Sequence, residues 1–251
     1  MSAGADSGAC RGVLSRREAL LGAAACMGLW RQLAAATPLP AEVAGIRLPR
    51  SELAIQAVRF AERSCPPFLF NHCLRTFLFG ALAMQRAGTA YEAEPAFVAA
   101  ALHDLGLLPE FASKSGSFEI DGADRAVRLL REAGIGSAES DTVWHAIALH
   151  DTRFALVQHQ GPEAMLVALG AGSDVLGPDP DRIDTRREAE ILAAFPRLQF
   201  KREFTKLAIA HCRRKPLSQR GTWLEGLCRE HSPAAFSSTL EQDIARAPFD
   251  E

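Results

Sequence analysis

The chain has 251 residues, 48% of them hydrophobic and 23% charged, with a formal net charge of −2. That composition is globular, and the length supports a core that stands without staples. The balanced charge and the 7% aromatic content lack the basic footprint and stacking surface of nucleic-acid binders, so no nucleic-acid partner is expected.

At the N-terminus, Ser15-Arg16-Arg17-Glu18-Ala19-Leu20-Leu21 precedes an apolar stretch from Gly22 to Trp30, and Ala34-Ala35-Ala36 follows. A charged start, a short apolar middle and a small-residue end describe an export signal. The paired arginines resemble a twin-arginine signal. Residues 1–36 are expected to direct export to the periplasm, with cleavage near Ala36. A cytoplasmic protein with an amphipathic extension is the alternative. The apolar stretch is too short to span a bilayer, so no stable membrane insertion is expected. Residues 37–50 read as an extended segment before one helical domain, 51–251.

Helices follow in series. Ser51 to Arg63 carries apolar Leu53, Ile55, Val58 and Phe60. Pro66-Pro67 opens a long helix from Phe68 to about Arg86, which Gly88 ends. Pro95 starts another, running to about Leu105, with Gly106 as its stop. Helices are predicted over Asp121 to Glu132, Asp141 to His150, and Glu163 to about Asp174. Capping boxes are read at Thr185 with Glu188, Thr222 with Glu225 and Ser238 with Glu241. Lys201 to Arg213 is an amphipathic stretch, and Arg213-Arg214-Lys215 before Pro216 marks its end. No period-2 run or hairpin dipeptide stands out, so the expected class is all-α, a single-domain helical bundle. The cysteines Cys10, Cys26, Cys65, Cys73, Cys212 and Cys228 form no C-x-x-C pair. They read either as buried free thiols or as one or two disulfides, which require an oxidising compartment.

His103 and Asp104 sit side by side in Ala101-Leu102-His103-Asp104-Leu105-Gly106. Burying both is costly unless a partner satisfies both, and a divalent metal does so with an imidazole nitrogen and a carboxylate oxygen. His72 lies near the start of the long helix. Consecutive helices are often antiparallel neighbours, which places His72 opposite His103-Asp104. Asp174, an acid among small and apolar residues near a helix end, is the best fourth ligand. His159, His211 and His231 read as surface residues, and His145 as a packed or exposed helix residue.

The order His72, then His103-Asp104, then Asp174 resembles the HD-domain metal-dependent hydrolases. Asn71-His72 before Leu74-Arg75, Phe118-Glu119-Ile120-Asp121-Gly122-Ala123, and Ala146-Ile147-Ala148-Leu149-His150 resemble the cyanamide hydratase-like branch. The likeness spans roughly residues 50 to 215. It departs at Cys73, where a serine-like residue is expected, and at Asp151, where a threonine-like one is. The resemblance implies an HD-domain bundle with one divalent metal ion held by His72, His103, Asp104 and Asp174. Zinc, iron, manganese and nickel all suit such ligands. A metal so held lowers the pKa of water. Asp104 and His150 are then the expected catalytic groups, with His150 moving a proton. Arg75 and Glu119 are candidates for the substrate pocket. Arg75 could instead form a salt bridge, and Asp121 a helix cap. The expected substrate is a small molecule, nitrile- or cyanamide-like, because few cations lie near the site. The alternatives are a phosphohydrolase acting on a phosphoester or nucleotide, and a metal- or ligand-sensing module without turnover. A homo-oligomer is possible.

Overall fold

In a computed structural model, which describes residues 39–152, 154–177 and 184–248, helix α1 spans Glu52–Ser64, α2 Pro67–Ala87 and α3 Ala93–Leu102. Then come α4 Phe118–Glu132, α5 Ser137–Ala148, the short α6 Phe154–Val157 and α7 Pro162–Leu176. Helices α8 Thr185–Ala194, α9 Phe200–Arg214, α10 Leu224–His231 and α11 Leu240–Ala245 complete the bundle. The class is all-α, as expected. The expected export signal and its cleavage near Ala36 lie outside the described residues.

One small feature departs from that class. Glu42–Val43 and Ile46–Arg47 pair as an antiparallel hairpin, β1 and β2. Ala44 and Gly45 at its tip both have positive φ, the backbone of a two-residue hairpin turn. Alanine at its first position departs from the glycine- or asparagine-led dipeptides that usually mark such turns.

Local chemistry sets most helix ends. Ser51 caps α1, its Oγ accepting from Ala54 N at 3.1 Å. Pro67 sits in the first turn of α2, and Gly88 ends it in the left-handed region. Several boundaries shift from those predicted. Helix α4 begins at Phe118 rather than Asp121, because Ser117 is its N-cap. Helix α3 ends at Leu102, and Gly106 lies in a 3-10 turn, Leu105–Leu107. Helix α5 starts four residues before Asp141, right after Gly136. The caps fall on neighbouring residues. Asp184 caps α8, accepting from Arg187 N. Thr239 with Gln242 makes the capping box of α11. Thr222 instead turns its hydroxyl back to the Gln219 carbonyl.

Helix α2 packs most extensively on α7. Two glycines permit it. A methyl group at Gly80 would collide with the Leu166 carbonyl, and one at Gly170 with the Thr76 carbonyl. The main core gathers Leu69, Phe77, Phe97, Leu102, Ile147 and Leu166, among others, around these helices. A buried aliphatic or phenyl side chain of this kind contributes about 1.5–3 kcal/mol. A second cluster joins α9 and α10 to Leu107 and Phe118. Inside it Cys212 and Cys228 form a disulfide, so the disulfide reading holds for this pair. Cys65 and Cys73 are buried free thiols.

Candidate metal centre

His72 lies in the second turn of α2, and His103 caps the C-terminus of α3. Asp104 follows as the chain leaves the helix. Gly106 then lets this turn lie directly against α4, where a methyl group would strike the Phe118 carbonyl. The two histidines meet as the antiparallel arrangement predicts. Their Nε2 atoms are 3.2 Å apart. Asp104 Oδ2 is 3.3 Å from His72 Nε2 and 3.4 Å from His103 Nε2. His150, just past α5, brings its Nε2 to 3.7 Å from Asp104 Oδ1. All four residues are buried.

The hydrogen bonds behind the rings decide what faces the middle. His103 Nδ1 lies 2.9 Å from the Ala100 carbonyl, and His150 Nδ1 lies 2.6 Å from the Ile147 carbonyl. A carbonyl only accepts, so each Nδ1 carries the hydrogen and each Nε2 presents a lone pair. His72 Nδ1 likewise faces Asp174 Oδ2 at 2.7 Å. Three imidazole lone pairs and a carboxylate therefore converge with no donor between them when all three rings are neutral. Asp104 Oδ2 is buried and receives no hydrogen bond of acceptable geometry. Such a set needs a cation or a proton at its centre. His72, His103 and Asp104 form a buried group that could hold a metal ion. Each histidine also has the partner behind it that metal-bound imidazoles require.

The electrostatics agree. Burial pulls His103 down to about 3, and the neighbouring His150 and His72 add to the fall against the pull of Asp104. It is neutral at ordinary pH. Burial alone would lower His72, but the neighbouring carboxylates of Asp104 and Asp174 outweigh it and raise the pKa. Burial opposes ionisation of Asp104 and Asp174. The histidines around Asp104, and His72 and Arg75 beside Asp174, nonetheless hold both carboxyls well below the usual range.

Asp174 is not part of the converging trio. The close crossing of α2 and α7 sets it behind His72, on the Nδ1 side. Its carboxylate oxygens serve Arg75 Nε and Nη2, both at 2.8 Å, and Arg197 Nη1 at 2.8 Å. Arg75 is fully buried and forms this salt bridge. It therefore presents no free charge to a pocket. Glu119 is buried beside Asp151. With the Gln219 amide oriented to accept from Phe118 N and His211 Nε2, its nitrogen donates to Glu119 Oε1 at 3.2 Å. Burial, then the Glu119 charge, push the Asp151 carboxyl well up. Asp121 is no cap: it pairs with buried Lys215 at 2.5 Å and accepts from Ser113 N.

His211 is buried, not on the surface. Burial and the charges of Lys215 and Arg214 lower it to about 4. The spacing of Phe204, Leu207, Ala208 and His211 on one helix face was the available signal. His145 and His159 are exposed and stay away from the centre. Phe200 stacks on His72 at 4.8 Å. Phe200 meets the centre, and Arg197 meets Asp174 behind it, from a segment with no motif. Among known proteins, neither the family models nor the curated sequences give a match to this chain.

Proposed function

We propose that the chain is a metal-dependent enzyme of the HD-domain type, near its cyanamide hydratase-like branch, that hydrates or hydrolyses a small uncharged molecule. The observation that carries this reading is the convergence of three imidazole Nε2 atoms on the buried Asp104 carboxylate. His72, His103 and Asp104 would hold one divalent ion, zinc or else iron, manganese or nickel. When bound, the ion supplies Lewis-acid activation of water.

The protein's own groups do the rest. His103 is locked by the Ala100 carbonyl and His72 by Asp174, so their donor atoms stay aimed without rearrangement. His150 has its Nδ1–H tied to Ile147, which leaves Nε2 alone to take or give a proton beside Asp104 Oδ1. A nitrile or cyanamide-like carbon attacked by water needs a proton delivered to its nitrogen, and His150 would supply it.

The charges favour an uncharged substrate. Arg75 and Arg197 are engaged with Asp174, and Lys215 with Asp121. A phosphoester would have to compete for these cations. Burial of the centre favours a small substrate. The same burial supports a second reading, a metal-sensing module without turnover. Export also belongs to the proposal: the Cys212–Cys228 disulfide supports an oxidising compartment. Sequencing the mature N-terminus after bacterial expression tests it, and an intact Met1 would count against it.

The decisive experiment loads the purified protein with metal and screens cyanamide, nitriles, nucleotides and phosphodiesters. Metal-dependent turnover of a carbon–nitrogen triple bond is expected. Turnover of phosphodiesters alone would replace the substrate class. Bound metal with no turnover would favour the sensor, and normal metal occupancy and turnover in His103→Ala would sink the metal site altogether.

A further inference from the structure

The turn between α8 and α9 is built more elaborately than a connection needs. Leu198 and Gln199 stand side by side at φ of 49° and 62°, a region that residues other than glycine occupy only at a cost. Leu198 is 49% exposed, so little packing offsets that cost. Two side chains of α2 hold the turn in place. Asn71 Nδ2 donates to the Pro196 carbonyl at 2.8 Å. Arg75 Nη1 donates to the carbonyls of Phe195 and Pro196 at 3.0 and 3.2 Å. Both gripping residues flank His72 in the sequence.

What the turn delivers is Arg197. Its Nη1 donates to Asp174 Oδ1 at 2.8 Å and to the Asp174 carbonyl at 2.9 Å. Its guanidinium lies 4.8 Å from the centre of the Phe200 ring, and that ring stacks on His72. Arg197 therefore reaches His72 by two routes, through the carboxylate at Nδ1 and through the phenyl ring on its face. We propose that Arg197 is a positioning residue for the metal centre, fixing the His72 ring so that Nε2 meets His103 and Asp104. The inference rests on the metal-binding reading above and adds to it a residue that no motif marks.

Arg197 also differs from its partner Arg75 in access. Arg75 is fully buried, whereas the Arg197 side chain is 30% exposed. It lines a cavity of about 250 Å³ together with Asp174, Leu192 and Lys201. A small cation can therefore enter the space that Arg197 leaves, which makes the role testable by chemical rescue.

The test compares the full chain with Arg197→Ala and Arg197→Lys. It measures zinc affinity by competition with a chelating dye and the visible spectrum of the cobalt-loaded protein. Loss of a partner behind a metal ligand weakens binding by roughly 10–100-fold, and Arg197→Ala should fall near about 10-fold because Arg75 remains. The cobalt bands should shift, Arg197→Lys should be intermediate, and millimolar guanidinium should restore part of the affinity to Arg197→Ala. Circular dichroism and thermal melts report whether the fold survives. Unchanged affinity and cobalt bands in Arg197→Ala would overturn the proposal. So would a loss that tracks lost fold and does not respond to guanidinium. Failure of the unaltered protein to bind zinc or cobalt would overturn the metal reading itself, and this inference with it.

Discussion

His103-Asp104 and His150-Asp151 are the same dipeptide in nearly the same backbone setting. Each follows the last turn of a helix, α3 or α5. Each histidine gives its Nδ1–H to a carbonyl three residues back, Ala100 or Ile147. Both Nε2 atoms turn toward the Asp104 carboxylate. The aspartates then part. Asp104 faces imidazoles, whose electrostatic pull overcomes burial and holds its carboxyl low. Asp151 is buried against Glu119, and its carboxyl is pushed up. The local chain fixes a histidine at such a corner. What lies across from the acid decides whether it becomes a ligand or a proton-sharing neighbour.

The largest expected effect separates the two acids. Asp104→Ala should abolish metal retention, exceeding the roughly 10–100-fold that a lost supporting partner costs. Asp151→Ala should leave metal content unchanged. Elemental analysis after dialysis reads both, and equal losses would erase the distinction. The two histidines give the next contrast. His103→Ala should lose metal. His150→Ala should keep it while turnover falls by about 10²–10⁴-fold, the usual contribution of a positioned acid or base. If His150→Ala also empties the site, His150 is a ligand rather than a proton carrier. Next in size is Asp174→Asn. It keeps the shape of the side chain but removes the charge that holds His72. Metal affinity should drop by about 10-fold or more, and an unchanged dissociation constant would remove Asp174 from the centre.

Punctuation made part of this legible in the sequence. Pro66-Pro67 and Gly88 bracket α2 closely, and apolar runs between glycines and prolines were enough for the all-α class. The meeting of His72 with His103-Asp104 was legible because both lie at the facing ends of consecutive helices. The place of Asp174 was not. It depends on how closely α2 and α7 cross, which Gly80 and Gly170 decide across a long sequence separation. Caps slipped by one residue where two capping residues adjoin, as at Asp184-Thr185 and Ser238-Thr239. Arg197 had no signal, since it sits in a non-periodic turn whose conformation comes from Asn71 and Arg75 far away in the chain.

The smallest effect concerns stability and turns on the acids' opposite shifts. Asp151 is raised on folding, so the stability it contributes is fully present below the ordinary carboxyl value of about 4 and is lost as pH rises through its folded pKa. Asp104 and Asp174 are lowered, so theirs is present above about 4 and lost as pH falls through their folded values. His103, lowered to about 3, works in the same direction. It favours the fold above its ordinary value of about 6.5, and that help fades as pH falls from there toward its folded value. Asp151→Asn cannot ionise against Glu119. It should therefore raise the melting temperature of the metal-free protein at neutral pH and do little near pH 4. A gain of about 1 kcal/mol corresponds to about 2–4 °C for a chain of this size. Asp104→Asn should show the reverse pattern, with its loss greatest at neutral pH. Melting curves of both variants across this pH range would show the two His-Asp pairs diverging. Parallel curves would mean that burial alone, and not the group facing each acid, sets its charge.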